Sequence, residues 1–143
     1  MRNSLLHGIF WTTLHYRTHV RIPVHTVLIP ISNLNDSLSK FVIENDPSIL
    51  LIPFPDRHID HKLIFESSMV ISRPIGPGKR IRLVAAYETL SETHWNAPYI
   101  ENNFVPNWNI DITKEINQKL KALNCFKSQI PPFPGSRSIE AIK

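Results

Sequence analysis

The sequence is poor in the residues that mark several specialised protein classes: its 143 residues include one cysteine, four glycines and two methionines. The single cysteine, Cys125, cannot form a disulfide within the chain, which excludes a small scaffold held together by disulfides. The low glycine content excludes a collagen-like chain. No run approaches the ~18 apolar residues that a membrane-spanning helix needs. A globular protein without a transmembrane segment is therefore expected.

The composition that remains is ordinary for a globular protein, with 42% hydrophobic and 20% charged residues. Sixteen Lys and Arg against 12 Asp and Glu give a net charge of +4, but the basic residues are scattered. Lys79, Arg80 and Arg82 form the one tight group, so we expect no nucleic-acid partner. The apolar start of the chain is interrupted by His7 and His15 and lacks a signal-peptide cleavage site, which favours a cytoplasmic protein.

Apolar runs and helix signals alternate through the first half of the chain. Val24–Ile31 and Ile49–Pro53 are predicted to be buried strands. Between them, the capping residues at 35–37 open a helix that should end near Asp46, because Pro47 follows. Strand, helix and strand at this spacing predict parallel strands joined by a right-handed crossover.

The second half continues the alternation of helices and strands. The fold class predicted is therefore α/β, with a Rossmann-like, mostly parallel sheet and flanking helices. A helix is expected over about Asp60–Ser72, with Leu63, Ile64, Val70 and Ile71 facing the core, followed by a break at Pro74–Gly78 and a buried strand at Ile81–Glu88. A long loop at 91–108 and a short strand near Trp108–Ile112 are expected next. The chain should then form a helix from Thr113 with Ile116, Leu120 and Leu123 on one face, an extended tail at Pro131–Gly135 and a helix starting near Ser138.

The most informative stretch for function follows the Ile49–Pro53 strand directly. Asp56, Arg57, His58, Asp60 and His61 lie within six residues of one another. Sites in open α/β sheets form outside the carboxyl ends of strands, which is where this cluster falls. The alternative interpretation is an exposed, polar first turn of a helix that Asp60 caps. The strand end and the two aspartates favour a functional site.

The two histidines of the cluster are suited to binding a metal. His58 and His61 are three residues apart, so their imidazoles can share a face if the helix begins near Ile59. The positive end of the helix dipole favours neutral imidazole, which is the form that ligates metals, and Asp60 or Asp56 could accept the second ring N–H. A catalytic zinc needs three protein ligands, and this segment offers one or two.

Two further regions contribute weaker candidates. Glu88 follows a predicted strand, so it and Thr93 are candidates for lining the same pocket. Their neighbours Tyr87 and Trp95 are expected to be core aromatics. Arg137 stands in the proline-rich tail, where a solvated arginine is more common than one that clamps an anion.

Four blocks of the sequence, in order, resemble a known family. They are DRHIDHKLIF, RLVAAYETLSETHWN, NWNIDIT with KLKALNCFKSQ, and FPGSRSIEAI. Together they resemble the later part of the PIG-L/LmbE-like zinc-dependent de-N-acetylases, which include N-acetylglucosaminyl-phosphatidylinositol de-N-acetylases. The resemblance runs from about Val24 to the end, and its most specific part is the Asp-x-His-x-Asp-His signature with the Tyr-Glu and Thr-x-Trp that follow.

The resemblance implies roles for the cluster. His61 corresponds to a zinc ligand, His58 to the histidine that stabilises the oxyanion or protonates the leaving amine, and Asp60 to the residue that tunes His58. The substrate would be an N-acetylated amino sugar or glycoside and the cofactor zinc. The candidate residues for contacting the substrate are Asp56, Arg57, Glu88, Thr93 and Arg137.

One family motif is missing from the sequence. The Ala-His-Pro-Asp-Asp-Glu motif, which supplies a His ligand, an Asp ligand and the general base, does not occur. We therefore expect residues 1–23 to be an unplaced segment and 24–143 to be part of a deacetylase domain that is truncated at both ends. Zinc binding and activity are expected to be weak. The alternative is a non-catalytic remnant that binds a glycan or a protein, and self-association into a homo-oligomer stays open.

Overall fold

The structure is a computed structural model that describes residues 30–93, 97 and 99–143. Of the strand expected at Val24–Ile31, positions 24–29 lie outside the described residues, whereas Ile31 begins a helix and the prediction is wrong there. The chain divides into two compact units, the first ending at Thr89 and the second spanning Leu90–Lys143. The two units are described separately below.

The first unit contains a small parallel sheet with helices. Its elements are α1 (Ile31–Asn45), β1 (Ile49–Pro53), α2 (Ile59–Ile71), a 3-10 turn (Gly76–Arg80) and β2 (Leu83–Tyr87). The two strands run parallel, in a register that pairs Ile49 with Leu83 and Pro53 with Tyr87. A mixed α/β unit with a parallel sheet agrees with the predicted class, and the described residues form a sheet of two strands.

The core of this unit lies where the two helices pack on β1. α1 contributes Leu34, Leu38 and Val42, which recur every four residues and therefore lie on one face. The other buried apolar residues come from β1 and α2, and they are Leu50, Ile52, Ile64 and Ile71. The sheet and both helices thus share one hydrophobic cluster.

Helix α1 begins earlier than the sequence signals predict. The capping residues at 35–37 lie inside the helix, and Pro30 occupies the N-cap position without a side-chain cap. The prediction was wrong because Leu34, one turn before Leu38, belongs to the same buried face, and burial of that face extends the helix. The predicted end is confirmed: Asp46 follows the last helical residue in a left-handed conformation, with φ 45°.

Helix α2 and strand β2 form close to the predicted residues but differ in burial. Ile64 and Ile71 are buried as expected, whereas Val70 is 44% exposed. β2 was expected to be buried, but Leu83 and Ala86 are exposed and the other residues of the strand are half-buried. In the described part of the chain β2 pairs with β1 alone, so its position is that of an edge strand.

The second unit consists of short helices joined by irregular segments. They are α3 (Leu90–Thr93), α4 (Ile116–Asn124), a 3-10 turn (Lys127–Gln129) and α5 (Ile139–Ile142). The predicted amphipathic face of α4 is confirmed, because Ile116, Leu120 and Leu123 are its least exposed residues. The helix starts at Ile116 and not at Thr113, since Thr113 forms a turn in which its N–H donates to the carboxylate of Asp111.

Two other predictions for this unit were wrong and one is confirmed. Trp108–Ile112 is not a strand, and no strand pairs with it among the described residues. The tail at 131–135 is not extended throughout, because the Gly135 N–H donates to the Pro132 carbonyl and closes a turn. The last helix is confirmed, and Ser138 caps it by accepting a hydrogen bond from the Ala141 N–H.

Candidate active site

The polar cluster lies at the carboxyl edge of the parallel sheet. The backbone N–H of Phe54 donates to the carbonyl of Tyr87 at 2.9 Å, which continues the strand pairing one residue past β1. The segment from Phe54 to His58 therefore leaves the sheet beside the end of β2. Both strands end at this edge, as parallel strands must, and α2 begins there. The sequence prediction of a cluster at a strand end is confirmed in the first unit.

Asp56 is the buried centre of the cluster. Its exposed fraction is 1%, although carboxylates are rarely buried unless they are paired. One carboxylate oxygen accepts the backbone N–H of His58 at 2.9 Å, and the two oxygens lie 2.8 and 2.7 Å from Nδ1 of His61. A buried acceptor with two donors satisfies the rule that buried charges need partners. Asp56 therefore binds both the backbone of His58 and the ring of His61.

The contact with Asp56 fixes the tautomer of His61. An ionised carboxylate only accepts hydrogen bonds, so Nδ1 of His61 must carry the proton in this contact. In the neutral ring, Nε2 then keeps its lone pair. The side chain is 14% exposed, so the ring is largely enclosed. A histidine whose Nδ1–H is bound by a carboxylate has the arrangement that is usual for metal-ligating histidines.

His58 has the opposite arrangement of ring nitrogens. It occupies the N-cap of α2, and its Nδ1 accepts the backbone N–H of Asp60 at 3.2 Å. Neutral His58 in this geometry carries its proton on Nε2 and can donate from there. The Asp60 carboxylate oxygen lies 3.9 Å from Nδ1, which is a charge-pair distance and longer than a hydrogen bond.

The two imidazoles are stacked on each other. Their ring centroids are 4.7 Å apart and their planes differ by 27°. The local structure explains this pairing, since His58 caps the helix and His61 lies in its first turn, with its N–H donating to the His58 carbonyl at 3.0 Å. His61 thus retains an acceptor nitrogen, Nε2, while His58, 40% exposed, presents a donor, Nε2–H. This combination suits proton transfer at a bound substrate.

Tyr87 is a neighbour of the cluster that sequence reasoning assigned only to the core. It is the last residue of β2, and burial raises the pKa of its hydroxyl above 10.0, with a smaller contribution from the negative charge of Asp56. The Phe54 N–H donates to the Tyr87 carbonyl at 2.9 Å, so the end of β2 lies beside the segment that carries Asp56. The register of two parallel strands would have indicated this neighbour, because Tyr87 ends the strand beside the cluster.

The other predicted site residues are distributed as follows. Arg57 is exposed on the loop between β1 and α2. Glu88 is exposed directly after β2, at the same edge of the sheet as Asp56. Thr93 closes α3 and Arg137 is half-buried before α5, both in the second unit. The structure thus brings together Asp56, His58, Asp60 and His61 within the first unit.

The fit of zinc to these residues is partial. Nε2 of His61, backed by Asp56, meets the requirements of one ligand position. Among the residues that the structure describes, no group of three or more His, Cys, Asp or Glu side chains is arranged to hold a metal ion.

None of the helices in the described ranges is long and apolar enough to span a bilayer.

Comparisons with protein-family models, with curated proteins and with solved structures found no match for this chain.

Proposed function

We propose that the chain carries an amide-hydrolase site of the zinc-dependent N-acetylglucosamine deacetylase type, acting on an N-acetylated amino sugar. The observation that supports this best is the pair formed by Asp56 and His61. A buried carboxylate 2.7 Å from Nδ1 leaves Nε2 as an acceptor at the carboxyl edge of a parallel sheet. The same signature carries the resemblance to the deacetylases, so two separate lines of reasoning lead to His61.

In this proposal each residue of the cluster has a chemical role. Asp56 orients His61 and fixes its tautomer. Nε2 of His61 is the metal-binding nitrogen, and bound zinc would polarise the acetamide carbonyl and activate water. His58 donates from Nε2 to the oxyanion that develops on the carbonyl oxygen and to the departing amine. Asp60 holds His58 in place, because its N–H binds Nδ1 at 3.2 Å.

We also propose that the deacetylase activity of this chain by itself is weak. His61 and its partner supply one ligand position, whereas a catalytic zinc takes three protein ligands. In the family that the sequence resembles, the other zinc ligands come from the Ala-His-Pro-Asp-Asp-Glu motif, which is missing from this sequence. A cytoplasmic location and a larger Rossmann-like sheet belong to the same proposal.

The test measures acetate release from an N-acetylglucosaminyl substrate in the presence of zinc, together with zinc binding by calorimetry. We expect binding weaker than micromolar and slow release that His61→Ala and His58→Ala abolish. Lys62→Ala, an exposed change beside His61, is the matched control and should have no effect.

Two outcomes would contradict parts of this proposal. Robust turnover with submicromolar zinc would disprove the impairment. Turnover that survives His61→Ala, or sugar binding without any acetate release, would disprove hydrolysis at this site and favour the non-catalytic binding remnant.

A further inference from the structure

A second surface with a distinct chemistry lies at the opposite end of α2 from the histidines. We call it the basic knuckle, and it consists of Met69, Val70, Arg73, Ile75, Lys79, Arg80 and Arg82. All seven side chains are exposed, and the same segment contains the buried Ile71 and Gly78. The knuckle joins the end of α2 to the start of β2 and lies at the amino edge of the sheet.

The knuckle is compact because its loop folds back on the helix. Gly78 packs so tightly against the backbone carbonyls of Ile71 and Arg73 that a side chain could not be added there. The Ile75 N–H donates to the Arg73 carbonyl at 2.7 Å, and the Ile81 N–H donates to Gly78 at 3.0 Å. These contacts hold the exposed apolar and basic residues together at one end of the helix.

The knuckle exposes three apolar side chains. Ile75 is 69% exposed, Met69 is 46% and Val70 is 44%. The sequence pattern predicted a buried Val70, but the buried face of α2 is formed by Ile64, Ser67, Ser68 and Ile71, and Val70 lies off that face. Aliphatic side chains on a surface turn can enter the boundary between lipid headgroups and acyl chains.

The charge of the knuckle has one sign. The segment between Glu66 and Glu88 contains four basic residues and no acidic ones. Arg80 pairs with Asp46 at 3.1 Å. No ion pair joins Arg73, Lys79 or Arg82 to another residue in the described part of the chain. Three positive charges therefore remain available to an anionic partner.

We infer that the basic knuckle docks the protein on an anionic lipid surface. Basic residues near such a surface each contribute attraction, and the aliphatic side chains between them supply insertion. A single-stranded nucleic acid is the less favoured partner, because base stacking needs exposed aromatic residues and the knuckle has none. This inference is independent of the proposed hydrolase activity.

The position of the knuckle has a consequence for the histidine site. α2 has 13 residues, so at ~1.5 Å per residue its two ends are about 20 Å apart. Docking through the C-terminal end of α2 would keep His58 and His61 at the end of the helix away from the lipid. The histidine site would then face water-exposed ligands.

The experiment is co-sedimentation of the full chain with vesicles of phosphatidylcholine, with and without one third phosphatidylserine, at low and high salt. We expect binding to the anionic vesicles that high salt reverses. Replacement of Arg73, Lys79 or Arg82 by Gln should each weaken binding about fivefold, from roughly 1 kcal/mol per basic residue. Ile75→Ser should weaken it about tenfold, because an aliphatic side chain that inserts into the lipid surface is lost.

Two variants separate this proposal from a general effect of charge. Arg80→Gln should weaken binding less than the other Gln variants, because Asp46 already neutralises Arg80. Asp46→Asn should strengthen binding several-fold, and Asn tolerates the left-handed backbone at that position. Lys62→Gln and Ile43→Ser are exposed controls outside the knuckle and should change binding less than twofold. Circular dichroism verifies that each variant is folded.

Equal binding to neutral and anionic vesicles would overturn the proposal, as would knuckle variants that behave like the controls. No binding to either vesicle by the folded wild-type chain would also overturn it. Binding to an acidic peptide or to RNA in the absence of vesicle binding would assign the knuckle to a different partner and likewise refute lipid docking.

Discussion

Replacing Asp56 should change both the stability of the first unit and the chemistry of His61. The carboxylate is 1% exposed and receives hydrogen bonds from the His58 N–H and from Nδ1 of His61. Hydrogen bonds to a charged group contribute about 1.5–3 kcal/mol each. Asp56→Ala removes both, so we expect the free energy of unfolding to fall by roughly 3–6 kcal/mol.

Asp56→Asn separates the two contributions. The amide oxygen can still accept the His58 N–H, which preserves the turn before α2. The same oxygen lies 2.8 Å from Nδ1 of His61, but the amide nitrogen places a donor at the 2.7 Å contact, which opposes the Nδ1–H and favours the tautomer with the proton on Nε2. We expect a loss of about 1.5–3 kcal/mol together with a change of the His61 tautomer.

The assays are urea unfolding followed by circular dichroism and long-range proton–nitrogen spectra of the imidazoles. In the wild type, His61 should be protonated on Nδ1, and in Asp56→Asn on Nε2. Asp36→Asn on the exposed face of α1 is the control and should change stability by no more than about 0.5 kcal/mol. A wild-type His61 protonated on Nε2, or an Asp56→Ala variant as stable as the control, would refute the reasoning.

Three further predictions concern the core and two titrating groups. Ile52 is 0% exposed, so Ile52→Ala should lower the free energy of unfolding by about 2–5 kcal/mol in urea titrations, and a loss near zero would place it outside the core. The pKa of Tyr87 is raised above 10.0, so the free energy of unfolding should fall as the pH rises from about 10 through that pKa. An NMR titration should find the Tyr87 pKa lower in Asp56→Asn than in the wild type. An unchanged pKa would contradict the electrostatic contribution of Asp56. Hydrogen bonds from the Thr113 side chain and N–H lower the pKa of Asp111 below 3.8. The stability that they give is therefore present above about pH 4 and is lost as the pH falls through the lowered pKa. Thr113→Ala should raise the Asp111 pKa in carboxyl NMR titrations, and an unchanged pKa would show that the backbone contact suffices.

The sequence predicted the parts of the fold that depend on local patterns. The continuous apolar run of β1, the helix from 59 to 71 and the Ser138 cap follow from residue types over a few positions. The start of α1 could not be predicted in this way, because Leu34 became helical through burial against other elements. Trp108–Ile112 has the alternation of a strand, but a strand also needs a pairing partner, which a local pattern cannot supply.

The candidate site shows the same division. The cluster and its place at a strand end were predictable from spacing. That Asp56 and not Asp60 binds the ring of His61 depends on the turn at 56–58 and on the first turn of α2, which bring residues five positions apart into contact. Tyr87 joins the neighbourhood through strand register, which is a long-range property.

The central claim is that His61, held by Asp56, is the metal-binding residue of the cluster. Zinc added to the nitrogen-15-labelled chain, followed through the imidazole nitrogens, tests this most directly and works even when binding is weak. We predict that the Nε2 signal of His61 shifts with zinc while its Nδ1 remains protonated. A zinc-induced shift at other histidines with His61 unchanged would contradict the claim.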